Sequence, residues 1–102
     1  MDYLPDVRKY SPDASEAAVA AIVKYCGIAL RNRDSSMVST TDPKEMATVK
    51  EGFATKKLGL TPEQADAGIK TVIEKLKGDR TKSRVTFYYL LAEATGTLDK
   101  LA

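Results

Sequence analysis

The segment that says most about the fold is Lys75-Leu-Lys-Gly-Asp-Arg-Thr-Lys-Ser-Arg-Val-Thr-Phe-Tyr-Tyr-Leu-Leu-Ala-Glu-Ala-Thr-Gly96. Its first ten residues hold five cations against one acid, whereas the next eight have Thr86 as their only polar residue. A charged turn that leads into an apolar helix is either a joint that locks the fold or a corner that binds an anion. Both interpretations stay open at this point.

Length and composition predict one small globular domain. The chain has 102 residues, which give room for a single modest core. Hydrophobic residues make up 43% and charged residues 29% of the chain, which is too apolar for a disordered protein. We therefore expect one domain over residues 1–102. The net charge of +2 is too small to imply nucleic acid by a global field.

The sequence predicts a cytoplasmic protein without a membrane partner. No segment approaches the roughly 18 apolar residues that span a bilayer, and the N-terminus lacks the basic start and apolar block of a secretion signal. A single cysteine excludes an internal disulfide, which favours a reducing compartment.

Three N-cap signals divide the chain, at Asp13, Asp42 and Thr61. Each is followed three residues later by Glu or Gln, which is the spacing of a capping box. A further helical turn is expected at Met37-Val38. The helices are predicted over residues 3–10, with Asp2 as cap, and over 13–30, 42–58, 61–78 and 82–95.

The helix over residues 13–30 is expected to lie centrally in the bundle. It is rich in alanine, and apolar residues such as Ile22 and Tyr25 surround much of its circumference. Gly27 within it costs about 1 kcal/mol relative to alanine, which suggests that another backbone crosses close by. No run alternates apolar and polar residues over the length of a strand. The sequence therefore predicts a compact all-α domain of about five helices with an Ala-rich central helix.

Catalytic residue types are scarce. Histidine is absent, which removes the commonest general base and metal ligand. Cys26 is expected to be an inert core residue, because it lies among apolar neighbours. The pairs of carboxylates fall at helix starts, where acids complement the helix dipole. We therefore expect no enzyme activity, no catalytic residue, no metal and no cofactor.

The aromatic residues Phe87, Tyr88 and Tyr89 follow the basic segment directly. In composition alone they resemble a surface that binds single-stranded nucleic acid. Consecutive tyrosines point about 100° apart on a helix, so both cannot line one platform. We therefore expect Phe87 and at least one tyrosine to pack in the core.

The candidate functional site lies in the basic corner at residues 75–84 and consists of Arg80, Thr81, Lys82, Ser83 and Arg84. Free amides at the start of the last helix, two hydroxyls and the cations would suit a phosphate or a carboxylate. Alternatively, Thr81 or the acid before Arg80 caps the helix, while Arg80 and Arg84 pair with acids of neighbouring helices. We favour the structural role.

Several pieces of the chain together resemble a known family. They are Met1-Asp-Tyr-Leu, Val7-Arg-Lys-Tyr, Ala20-Ala-Ile-Val-Lys, Ile28-Ala-Leu-Arg, Arg33-Asp-Ser-Ser, Lys56-Lys-Leu-Gly-Leu, Lys77-Gly-Asp-Arg and Lys82-Ser-Arg-Val-Thr-Phe-Tyr-Tyr-Leu-Leu-Ala-Glu. The chain resembles, over almost its whole length, small bacterial proteins known only as a domain of unknown function. The resemblance implies a small helical protein of the bacterial cytoplasm and carries over no catalytic residue or ligand.

Two functions of different classes follow from the sequence. The preferred one is a non-enzymatic interaction module that binds a protein partner, or forms a homo-oligomer, through a helix groove or a self-complementary face. The alternative is an anion or nucleic-acid binder that uses the basic corner at residues 75–84, with nucleic acid the less favoured partner. The two differ in salt response, because phosphate contacts weaken steeply with salt and apolar interfaces do not.

Overall fold

Five α-helices build the part of the chain that the computed structural model describes, which is residues 3–31, 36–78 and 83–101. The helices are α1 (Leu4–Arg8), α2 (Glu16–Cys26), α3 (Pro43–Val49), α4 (Pro62–Lys75) and α5 (Arg84–Ala94). Helix α3 continues as π-helical turns over Lys50–Lys57, and 3-10 turns cover Gly27–Arg31 and Leu98–Lys100. The described residues form no strand, which confirms the all-α prediction.

Helix α5 carries the most deeply buried segment. Every residue from Val85 to Ala92 is buried, and the helix packs against α1, α2, α4 and the π-helical segment. This confirms that the aromatic run after the basic corner belongs to the core. Leu101, beyond the end of α5, is also buried.

Helix α4 has the start that the sequence predicts. The hydroxyl of Thr61 accepts a hydrogen bond from the Gln64 amide at 3.2 Å, and the Gln64 side chain accepts one from the Thr61 amide at 3.0 Å. Asp42 caps α3 in the simpler way, because its carboxylate accepts from the Lys44 amide at 3.0 Å. Asp2, the predicted cap of α1, lies outside the described residues.

The prediction that Asp13 caps α2 is wrong. The cap is Ser15, whose hydroxyl accepts from the Ala18 amide at 3.3 Å. The chain first makes a turn in which the Ala14 amide donates to the Ser11 carbonyl at 3.0 Å. Because this turn buries Ala14 and includes Asp13, the helix begins after both.

Helix α2 ends earlier than predicted, at Cys26. Gly27 has a φ of +50° and ends the helix, so the prediction of an α-helix to residue 30 is wrong. Residues 3–31, 36–78 and 83–101 make no close backbone crossing there either, because a Cβ added to Gly27 would meet nothing of them within 4 Å. The close crossing is at Gly68 on α4, where a Cβ would lie 2.6 Å from Thr95 Cγ2 and 2.8 Å from Leu91 Cδ1.

The loop before α3 is fastened to the start of α5. Met37 pairs with Ser83 in an isolated antiparallel bridge, and the Arg84 amide donates to the Ser36 carbonyl at 2.8 Å. The predicted helical turn at Met37-Val38 is therefore wrong. A tertiary contact that no local pattern encodes sets the conformation here.

Helix α1 is held on α5 by side-chain hydrogen bonds. The Thr86 hydroxyl donates to the Asp6 carboxylate, and the Ser11 hydroxyl donates to Glu93 at 2.5 Å. None of the helices in the described ranges is long and apolar enough to cross a membrane.

Candidate functional site

The predicted anion site is only partly described. Arg80, Thr81 and Lys82 lie outside the described residues, whereas Ser83 and Arg84 start α5. What the structure adds therefore concerns these two residues and their neighbours, and the anion-binding role itself stays a prediction.

Arg84 makes an ion pair with Glu45 of α3. Its Nη2 lies 2.5 Å from Glu45 Oε1, and its Nη1 donates to the Tyr88 hydroxyl at 3.0 Å. A longer bond of 3.4 Å joins Nη2 to the Met37 carbonyl. The Arg84 side chain is 11% exposed and that of Glu45 is 22% exposed. The guanidinium therefore ties α3, α5 and the loop between residues 36 and 38 together.

The electrostatics of this cluster keep Arg84 charged. Burial alone would lower the pKa of Arg84, but the contacts with Tyr88 and Glu45 outweigh it and raise that pKa. Burial raises the pKa of Tyr88, and the nearby Arg84 opposes this only in part. The phenol is thus neutral at neutral pH, and an anion that approached the guanidinium would compete with Glu45.

Ser83 stands at the N-cap position of α5 but makes no capping hydrogen bond. Its Oγ is buried, and none of the described residues hydrogen-bonds to it. A buried hydroxyl without a partner costs about 1–3 kcal/mol. This is the feature of the described basic corner that fits a bound acceptor such as a phosphate oxygen.

Cys26 lies beside this cluster. Burial raises the pKa of its thiol to about 11, and Arg84 lowers it by less. The sulfur is therefore a protonated thiol at neutral pH and a poor nucleophile.

An aromatic stack runs outward from Arg84 to the surface. The guanidinium lies 5.8 Å from the Tyr88 ring centre, and Tyr88 stacks on Phe53 at 4.0 Å. Tyr25 is the outermost ring and is 44% exposed, with Lys57 Nζ 5.9 Å from its centre. The sequence predicts only that Tyr25 is one of the apolar residues around a central helix, and its exposure is not visible in that pattern.

A second surface feature is a groove between α4 and α5, which the sequence did not reveal. Its volume is about 230 Å³. Most of the side chains that line it are small. Gly68 lets α4 and α5 approach each other closely at its floor. The lining residues are Leu60, Gln64, Ala67, Gly68, Thr71, Ala94 and Thr95.

Comparison with known proteins identifies the family. The chain belongs to the family described as "Protein of unknown function (DUF2853)", whose model matches residues 2–99. This confirms the resemblance seen in the sequence. No curated protein matches the chain.

Proposed function

We propose that the chain is a non-enzymatic protein-interaction module and that its α4 surface binds a second copy of the chain. The observation that carries the proposal is the groove between α4 and α5, together with the charge pattern along α4. The groove and these charges lie on the exposed side of α4, and the opposite side of α4 packs in the core.

Small residues let a second helix approach α4 closely. Ala67 is exposed at the middle of the helix and lines the groove, and Gln64 and Thr71 lie one turn to either side of it. A helix that crosses at Ala67 could therefore approach α4 closely, because the side chain of Ala67 is short and the groove lies beside it. Such a crossing removes small side chains from water at its centre and leaves the charged residues at its sides.

The charges nearest Ala67 on α4 are self-complementary. The acids Glu63 and Asp66 precede Ala67 and Lys70 follows it, with Glu74 and Lys75 at the far end of the helix. An antiparallel copy that crosses at Ala67 would place Glu63 of each chain near Lys70 of the other. The same patch then serves both copies, as a two-fold interface requires. The exposed intramolecular pairs that Asp66 and Lys75 already make are weak enough to exchange.

The helix is long enough for an interface of ordinary size. Its 14 residues span about 21 Å. A stable interface buries about 800 Å² on each partner, which is about an eighth of the 6175 Å² that the chain exposes. Helix α4 and the adjoining end of α5 are expected to supply this area.

Analytical ultracentrifugation tests the proposal. The parent protein is expected to sediment as a dimer at micromolar concentration, and Ala67→Glu as a monomer, because two like charges would meet at the two-fold axis. Ala20→Glu is the matched control, since Ala20 is an exposed alanine on α2. A parent protein that stays monomeric, or two variants that dissociate alike, would contradict the α4 interface.

Side-chain usage supports a non-enzymatic role. Three carboxylates that might have served chemistry instead hold helices together: Asp6 accepts from Thr86, Glu93 accepts from Ser11, and Glu45 pairs with Arg84. A screen for hydrolase and transferase activities with the purified chain is expected to find none, and turnover that is lost in Glu45→Gln would contradict this part of the proposal.

A location in the bacterial cytoplasm is part of the same proposal. It is supported by the single cysteine, Cys26, which has no partner for an internal disulfide. Fractionation of a native bacterial host with an antibody to the chain tests it, and recovery from the periplasm would contradict it.

A second candidate function is anion binding at the basic corner of residues 75–84. The buried Ser83 hydroxyl, which has no partner among the described residues, favours it, because a bound phosphate oxygen would accept that hydrogen bond. The ion pair between Arg84 and Glu45 weighs against it. Phosphate that stabilises the parent more than Ser83→Ala would support this function, and equal stabilisation of the two would contradict it.

A further inference from the structure

We propose that the surface formed by Tyr25, Lys24, Lys56 and Lys57, the Tyr25 patch, binds single-stranded nucleic acid. One base would stack on the tyrosine ring, and the three lysines would contact phosphates. These residues are distinct from the α4 interface and from the basic corner at residues 75–84.

Tyr25 is presented as a fixed platform. It is the only large hydrophobic side chain that is exposed among the described residues. Phe53 lies 5.4 Å from its ring centre and Tyr88 lies 6.4 Å away, and these two buried rings stack on each other at 4.0 Å. Tyr25 is thus held on one side by core residues, and 44% of the residue stays exposed beside Lys57. A base that stacks there meets a ring that is already ordered.

Lys57 lies against this ring, and Lys24 and Lys56 are exposed lysines next in the chain to Tyr25 and to Lys57. Lys57 Nζ lies 5.9 Å from the ring centre, Lys24 precedes Tyr25 in α2, and Lys56 precedes Lys57 at the end of the π-helical segment. All three are exposed, and the ion pairs found in the described ranges include none of them. Their charges are therefore available to a phosphate backbone.

The combination favours a single strand over other polyanions. Base stacking on an aromatic ring requires an unpaired base, and lysines beside the ring then track the backbone without reading sequence. A duplex hides its base faces and would use the lysines alone. An acidic protein segment would also leave the ring unused. The exposed aromatic ring is thus the feature that decides between these ligands.

Fluorescence anisotropy with labelled dT12 and rU12 tests the proposal. Three phosphate contacts on a single strand give a salt slope of about −2, so affinity is expected to fall about 18-fold between 50 and 200 mM salt. Tyr25→Ala is expected to weaken binding between about 5-fold and about 150-fold, whereas Tyr25→Phe keeps the stacking and is expected to bind like the parent. Tighter binding of rU12 or of dT12 distinguishes RNA from DNA, and either one supports the proposal.

A second variant keeps the test independent of folding. Tyr25→Ala removes a ring contact to Phe53, so its thermal unfolding is compared with that of the parent. Lys56→Gln with Lys57→Gln touches exposed side chains only, and it is expected to reduce the salt slope from about −2 to about −0.7. Lys44→Gln, an exposed lysine on α3, is the control and should leave binding unchanged.

Three results would overturn the proposal. The first is no anisotropy change with either oligonucleotide at 50 mM salt. The second is a duplex that binds as tightly as the single strand. The third is displacement of the oligonucleotide by polyglutamate as efficiently as by unlabelled dT12, which would identify the patch as a site for an acidic protein instead.

Discussion

Replacing Arg84 by alanine is the sharpest test of how the basic corner works. In the folded protein the guanidinium contacts Glu45, Tyr88 and the Met37 carbonyl. Arg84→Ala removes all of these contacts at once. It leaves the carboxylate of Glu45, whose side chain is only 22% exposed, without its cation.

The structure sets the expected magnitude. Removing one partner of a fully buried ion pair costs about 3–5 kcal/mol. Because Glu45 keeps some contact with water, which can solvate it after the substitution, we expect a smaller loss of about 2 kcal/mol in the free energy of unfolding. For a domain of this size the melting temperature should fall by about 8–16 °C. Glu45→Gln combined with Arg84→Ala should cost less than the sum of the two, with a coupling of about 0.5–3 kcal/mol.

The assay is urea unfolding followed by circular dichroism, with Arg31→Ala as the matched control because Arg31 is exposed. Sulfate is then added to the parent and to Arg84→Ala. Excluded anions stabilise any folded protein, so a structural arginine predicts the same gain in both. An Arg84→Ala protein within about 0.5 kcal/mol of the parent, with a smaller gain from sulfate, would refute the structural role and establish an anion site.

Three further outcomes are expected. Cys26 should react slowly with a thiol reagent at pH 8 and quickly in denaturant. Burial raises the pKa of its thiol to about 11, so the reactive thiolate forms only as the pH approaches that value. Fast labelling of the native protein would contradict this. Ser15→Ala should lower the free energy of unfolding by about 0.5–2 kcal/mol, whereas Asp13→Ala should leave it almost unchanged in the same urea titration. Gly68→Ala should lower the melting temperature despite the better helix propensity of alanine, because its Cβ would overlap the buried Leu91 side chain; a higher melting temperature would show that α5 yields easily.

The sequence predicts a helix start correctly where the capping side chain and the amide that it bonds are close together in the chain. The capping box of Thr61 and Gln64 lies within four residues, so the sequence contains all of it. The prediction failed at Asp13, where the spacing to Glu16 is equally good but the turn closed by the Ala14 amide comes first. Two competing local patterns cannot be ranked without knowing which side chain the rest of the protein buries.

The exposed Tyr25 ring and the groove between α4 and α5 could not be predicted from the sequence. Tyr25 belongs to an apolar run, and its exposure depends on how α2 packs against the rings of Phe53 and Tyr88. The groove beside Ala67 depends on the approach of α5 to α4 at Gly68. Both features arise from contacts between residues that are far apart in the chain, so periodicity along one helix does not encode them.

The central claim is that two copies of the chain meet through α4 with Ala67 on the two-fold axis. Disulfide trapping tests it most directly, with Ala67→Cys placed in a Cys26→Ser background. A residue on the axis faces its own copy, and helices that cross there bring the two Cα atoms into the range of about 4.4–6.8 Å that a disulfide needs. A dimer with Ala67 on its axis predicts a covalent dimer after mild oxidation of this variant and none for Ala20→Cys in the same background. Equal trapping of the two variants, or no trapping of Ala67→Cys, would contradict it.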